Sequence, residues 1–266
     1  MDGVYNKIEC KGRKSVYVTI STIEKSDDLA GQTIVVTGGG SGIGKATAKS
    51  VICTDGKVII VGRNEQRLQR VCDNEDNIKY IKQDVNEIDD YHSFFNKCEN
   101  CFKSKITGIV NNAGIYIDKQ PLDFTKEDDK RILESDLIAP MMLVQKYIEY
   151  CLNNNIYGNV VCTSSNRSFF GDYSPYGVAK RGLNSYIEGI ALRYINKIRI
   201  NGVAPGMTAS GINDISVNDD LYTCSSKNHR VLVPEEIAEV IVFLLSNRSH
   251  CITGAVIPCD GGDRLR

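Results

Sequence analysis

Short β-branched runs alternate with longer amphipathic stretches along this chain, and the alternation predicts most of its elements. Ile34-Val35-Val36 reads as a buried strand, followed by a glycine turn and a helix to about Cys53. Lys57 to Val61 repeats the strand pattern and ends at Gly62-Arg63-Asn64, and a polar helix covers Glu65 to Cys72. Ile78 to Ile81 makes a third strand that ends in Asp84-Val85. A helix from about Asp89 to Phe102 and a strand from Ile106 to Val110 follow. Lys126 to Arg131 opens a helix expected to run unbroken through Met141-Met142-Leu143-Val144 toward Cys151, and Ile156 to Cys162 is the next strand. The last clear helix opens at Pro234-Glu235-Glu236, where proline suits the first turn. Repeated strand and helix units of this kind predict the α/β class, a single doubly wound domain with a mostly or wholly parallel sheet flanked by helices.

Residues 1–30 stand apart as an N-terminal extension to a domain spanning 31–266. Ser15 to Ile20 alternates and is β-branched, which predicts one strand. An added edge strand, an oligomer contact and a disordered arm all fit the extension.

Composition narrows the class further. At 266 residues one α/β domain with a large core is sufficient. A formal charge of -1 gives no broad basic field, so neither nucleic acid nor an anionic membrane surface is an expected partner. Apolar runs stay short of the roughly 20 residues of a membrane span, and the N-terminus lacks an apolar signal core, so a cytoplasmic protein is expected. Ten scattered cysteines lead to the expectation of reduced thiols. Cys98-Glu99-Asn100-Cys101 has no second pair and no nearby histidine, so packing or solvent-facing thiols are expected and no metal site.

The candidate chemistry starts at Thr37 to Gly44, reading TGGGSGIG between a strand and a helix. Such a segment is either a plain turn or a pyrophosphate cradle, in which glycines admit close approach and the helix N-terminus favours the anion. At the tip of the second strand Gly62 removes a carboxylate that would hold the ribose of NAD, and Arg63 offers a guanidinium to the extra phosphate of NADP. The alternative for Arg63 is a solvated side chain. Ser41 leaves Arg63 without a second basic residue inside the turn. Asp84 is placed to cap the next helix or to touch an adenine. Farther on, Thr163-Ser164-Ser165 ends a strand, and Tyr176 and Lys180 are spaced four apart, on one face of a helix.

These segments, in this order, resemble the classical short-chain dehydrogenase/reductase family over about residues 30–263. The resemblance rests on Thr37-Gly38-x-x-x-Gly42-Ile43-Gly44, Asp84-Val85, Asn111-Asn112-Ala113-Gly114, the serine strand, Tyr176-x-x-x-Lys180, Ile200-Asn201-Gly202-Val203-Ala204-Pro205-Gly206, Ile252-Thr253-Gly254 and Asp260-Gly261-Gly262. It implies a Rossmann fold and an oxidoreductase that interconverts a carbonyl and a secondary alcohol by hydride transfer, with NADP(H) favoured over NAD(H). The cofactor-binding residues it implies are Gly38, Gly40, Ser41, Gly42, Ile43, Gly44, Arg63, Asp84, Val85, Asn111, Ala113, Gly114, Tyr176, Lys180, Pro205 and Gly206.

By the same resemblance Tyr176 is the acid/base toward the carbonyl oxygen, Lys180 favours its phenolate and reaches the ribose, and Ser165 holds the oxygen, with Ser164 its rival. The family often has asparagine where this chain has Asp136, supporting a water linked to the lysine. Asp136 is expected to keep that water and to pair indirectly with Lys180, or else to be a surface aspartate. Ser165, Phe169, Tyr176 and Met207 are the expected substrate contacts, with specificity placed in 207–233 and in the short loop holding Phe169, Phe170 and Tyr173. The implied partners are a small carbonyl or alcohol substrate and further copies of the chain, as a homodimer or homotetramer. A catalytically silent dinucleotide-binding sensor or scaffold is the alternative function.

Overall fold

The computed structural model describes residues 15, 25–210 and 216–265. The strand expected at Ser15 to Ile20 and the residues at 211–215 lie outside this set apart from Ser15.

Seven strands, Thr33–Thr37 (β1), Lys57–Gly62 (β2), Ile78–Lys82 (β3), Gly108–Asn111 (β4), Gly158–Thr163 (β5), Ile198–Pro205 (β6) and Val256–Cys259 (β7), make one sheet in the order β3-β2-β1-β4-β5-β6-β7. Every pairing is parallel. β1, β4, β5 and β6 are buried along their whole length because helices cover both faces. β4 and β5 begin later than the apolar pattern suggests. Ile106 N–H donates to the Tyr150 hydroxyl at 3.0 Å, and Ile156 N–H closes the preceding helix on Cys151 C=O at 2.9 Å, so neither residue joins the ladder.

Helices Gly42–Cys53 (α1), Glu65–Cys72 (α2) and Pro234–Leu245 (α7) bury one face, where Val51, Leu68 and Ile241 meet Ile34, Val36 and Ile60. Helices Tyr91–Phe102 (α3), Ala139–Asn154 (α5) and Pro175–Tyr194 (α6) bury the other, where Phe95, Tyr147 and Leu183 meet Val35, Ile109 and Ile200. Each such side chain contributes about 1.5–3 kcal/mol on burial. Leu29, just upstream of β1, is fully buried in the first of these cores.

The helix expected to run unbroken from Lys126 to Cys151 is divided. Lys126–Leu133 (α4) ends in a π turn, Glu134–Ile138, before α5 begins. Pro140 explains the break, because it has no N–H for the carbonyl of Asp136 and its ring crowds that carbonyl. The turn widens instead, with Ala139 N–H donating to Glu134 C=O. This extra residue per turn swings Asp136 out of the regular helical register into the protein interior.

Eight cysteines, Cys53, Cys72, Cys98, Cys101, Cys151, Cys162, Cys251 and Cys259, are free as expected. Cys224 departs from that expectation and is disulfide-bonded. Cys98 is buried inside α3, and burial pushes both its thiol and that of Cys101 up, away from reactivity. Among the described residues no group of His, Cys, Asp and Glu is gathered to hold a metal, and no helix is long and apolar enough to cross a membrane.

Candidate active site

The strand order reverses between β1 and β4, and open α/β sheets bind ligands beyond the carboxyl ends of strands at such a point. A cavity of about 640 Å³ lies there. At one end it is lined by the glycine turn, with Arg63, Arg67 and Asp84, and at the other by Ser165, Tyr176, Lys180 and Met207.

Gly42 has φ +50, a left-handed conformation that starts α1 beneath the turn and favours glycine. Ser41, at the helix N-cap, makes no side-chain cap bond. The first amides of α1 are therefore left for an acceptor in the cavity, which is the donor set an anionic pyrophosphate needs. Asn112 and Ala113 N–H groups both donate to the Thr37 hydroxyl at 3.0 Å, which ties the Asn-Asn-Ala-Gly turn to the end of β1.

At the second strand tip, Arg63 Nη1 stands 3.7 Å from Asp84 Oδ2, and the guanidinium is largely exposed. Asp84 Oδ1 accepts from Asn86 N–H at 3.0 Å, so it caps the short turn after β3 and lines the cavity as well. Arg67, in the first turn of α2 and four residues past Arg63, lines the same end. Sequence reasoning missed it.

At the other end Lys180 is buried, and its ammonium donates to Thr163 C=O at 2.9 Å and sits 5.5 Å from the centre of the Tyr176 ring. It also lies 3.0 Å from Asp136 Oδ1. The indirect pairing expected through a water is thus a direct ion pair, and Asp136 is fully buried rather than on the surface. The approach misses hydrogen-bond direction and leaves Oδ1 without a directed donor, while Oδ2 accepts from Ile115 N–H at 3.0 Å. Burial pushes the Lys180 ammonium down, but Asp136 and Tyr176 outweigh burial and hold it above its usual range. Gly114 admits the carboxylate, since a Cβ there would stand 2.4 Å from Asp136 Oδ1.

Both serines line the cavity. Ser164 Oγ donates to Asn184 Oδ1 at 2.6 Å and is spent, whereas Ser165 Oγ accepts from Arg167 N–H at 3.3 Å and keeps its proton free to donate. Three expected contacts are not brought to the cavity. Asn111 is buried and donates to Pro140 C=O at 3.1 Å, Gly44 packs under the turn, and Phe169 faces Arg264 instead. Leu221, in the expected specificity segment, is buried with Ala209, Val231 and Val233. The remaining expected residues, Gly38, Gly40, Ile43, Val85, Pro205 and Gly206 among them, do line the cavity.

A doubly wound sheet with a glycine turn and a cleft at its reversal point is the architecture of dinucleotide-binding enzymes. The family model described as enoyl-(acyl carrier protein) reductase matches residues 37–263. The chain belongs to the short-chain dehydrogenase/reductase family and is of its classical type, an oxidoreductase family that binds NAD(P) and acts on small molecules. It is 27% identical over 248 residues to an NADP-dependent (R)-specific alcohol dehydrogenase of Lentilactobacillus kefiri, covering 89% of this chain and 98% of that one. It is 29% identical over 242 residues to a 3-oxoacyl-(acyl-carrier-protein) reductase of Rickettsia bellii, covering 88% and 98%. A solved structure of a short chain dehydrogenase/reductase family protein superposes with a TM-score of 0.79 at 26% identity, covering 90% of this chain and 100% of that one.

Proposed function

We propose that this protein is an NADP(H)-dependent carbonyl reductase or alcohol dehydrogenase, with Tyr176 as the acid/base. The observation that carries the reading is the placement of Ser165, Tyr176 and Lys180 at one end of a cavity whose other end holds the glycine turn and two arginines.

The donor set fits NADP(H). The open amides of α1 suit a pyrophosphate, and Arg63 and Arg67 offer two guanidiniums to a phosphate on the adenosine ribose. The similarity to an NADP-dependent alcohol dehydrogenase of Lentilactobacillus kefiri supports the same choice. When bound, NADPH supplies the hydride that goes to the carbonyl carbon.

Ser165 donates a hydrogen bond to the carbonyl oxygen and holds the substrate in line. Tyr176 O–H passes its proton to that oxygen as its charge develops, which completes the alcohol and leaves a phenolate. Lys180 stabilises the phenolate across their short separation, and Asp136 keeps Lys180 charged and in place. In the oxidative direction the phenolate takes the alcohol proton back. Exposed Ile138 and Met142 on one side and Val178 and Leu192 of α6 support a homo-oligomer built through these helices.

The reading is tested by following NADPH consumption over a panel of ketones, aldehydes and β-oxo thioesters. Turnover of one substrate class supports it, and turnover equal with NADH would overturn the cofactor choice.

A further inference from the structure

The reductase reading leaves one charged group at the substrate end without a task. Arg167 lies in the loop between Ser165 and Tyr176, lines the cavity, and has a side chain 33% exposed. Its Nε and Nη2 donate to the two oxygens of Asp172, a residue 7% exposed that does not itself line the cavity. Its Nη1 donates to the Tyr116 hydroxyl at 2.7 Å. The Tyr116 ring in turn meets the Tyr176 ring edge-on at 5.2 Å. A chain of contacts therefore fixes the guanidinium beside the proposed acid/base.

Donor counting shows what remains. A guanidinium has five N–H donors and accepts nothing. Three are taken by Asp172 and Tyr116, and the other two, on Nη1 and Nη2, have no acceptor among the described residues. Asp172 holds the Nε edge from behind the cavity wall, so it aims the group without covering the donors that remain. Of the charges at this end, Arg167 is paired with Asp172 and Lys180 with Asp136, and Asp263 accepts a hydrogen bond from Lys227 N–H at 2.6 Å. Clamping the loop uses only the Nε–Nη2 edge. One N–H on Nη1 and one on Nη2 remain to donate to a planar or tetrahedral oxyanion.

We propose that Arg167 is a substrate-binding residue, and that the substrate is a carbonyl compound carrying an oxyanion, a carboxylate or a phosphate ester. Asp172 and Tyr116 are positioning residues for it. The inference rests on the reductase reading for its chemistry, but binding alone can read it.

The probes are straight-chain oxo carboxylates with their primary amides, and hydroxyketone phosphates with their parent hydroxyketones. Each is titrated calorimetrically into the protein saturated with NADP+, where no hydride is available, and turnover is followed separately with NADPH. The charged member of at least one pair is expected to bind about tenfold tighter or more. Which pair shows it tells carboxylate from phosphate. Arg167→Gln should abolish the difference while changing the neutral member by less than about twofold, and Arg167→Lys should keep part of it. Equal or tighter binding of the neutral members, no binding of either, or equal loss of both members in Arg167→Gln would overturn the inference. Turnover without a charge preference overturns it and leaves the reductase standing. A charge preference in binding with no turnover upholds it and removes the reductase instead. The wild-type comparison needs no variant to fold.

Discussion

Asp136 and Lys180 form a buried ion pair, 3.0 Å between Oδ1 and Nζ, directly behind the ring of Tyr176. The charged and titratable groups facing Lys180 are Asp136 from the π turn, Tyr176 from its own helix and Cys162 from β5. A neutral amide in place of Asp136 would remove the carboxylate that holds the buried Lys180 ammonium charged against desolvation. Asp136→Asn is therefore expected to weaken the support Lys180 gives the phenolate and to move the acid limb of the pH profile for alcohol oxidation to higher pH. An unchanged profile would show that the carboxylate does not act on the phenol.

Cofactor choice rests on two arginines. Arg63→Ala and Arg67→Ala should each raise Kd for NADPH about tenfold while changing NADH by less than about twofold, as loss of a charged phosphate contact costs roughly 1.5–3 kcal/mol. The double variant should approach parity between the two cofactors. Equal losses for both in fluorescence titrations would sink the assignment.

Strand positions and the cleft were legible in the sequence because their signals are local: β-branched runs, a glycine turn, and Tyr and Lys at helical spacing. The direct contact of Asp136 with Lys180 was not legible, since it depends on the π turn that Pro140 imposes, a register change that hydrophobic pattern does not register. Arg67 was missed for a related reason. A polar residue on an exposed helix face carries no mark of the neighbouring strand tip until α2 is packed against β2. Ser165 and Ser164 differ only in a tertiary contact, the bond from Ser164 to Asn184.

Arg199 on β6 is buried and donates to Ser249 C=O at 3.0 Å, Ser246 C=O at 2.9 Å and Ile252 C=O at 3.3 Å, joining the end of α7 to the strand leading out of it. Arg199→Met should lower stability by about 2–4 kcal/mol, because the guanidinium's buried, charge-assisted hydrogen bonds to three carbonyls are lost, although each carbonyl keeps another donor. Urea denaturation checks this, and a midpoint close to wild type would contradict it.

Glu236 and Asp172 are among the carboxylates that tie stability to acid pH. Hydrogen bonding to Arg230 lowers the Glu236 carboxyl against the opposing pull of burial. Burial pushes Asp172 up, but Ser174 and Arg167 outweigh it and hold the group below its usual range. Depressed folded values mean that this stability is complete above the unfolded pKa, near 4, and is lost as pH falls through the folded values. Glu236→Gln and Asp172→Asn should therefore lower Tm at pH 7, and the gap to wild type should close as pH falls through the depressed folded values. A gap that persists unchanged at low pH would contradict the ion-pair origin.

Tyr176→Phe, with binding and turnover measured side by side, tests the central claim most directly. The phenol is the proposed proton donor and contributes nothing to the glycine turn or the arginines. NADPH should bind the variant within about threefold of wild type, while kcat for carbonyl reduction falls by about 10²–10⁴. NADPH binding without Tyr176-dependent turnover of any carbonyl compound would contradict the account and make the protein a dinucleotide sensor or scaffold.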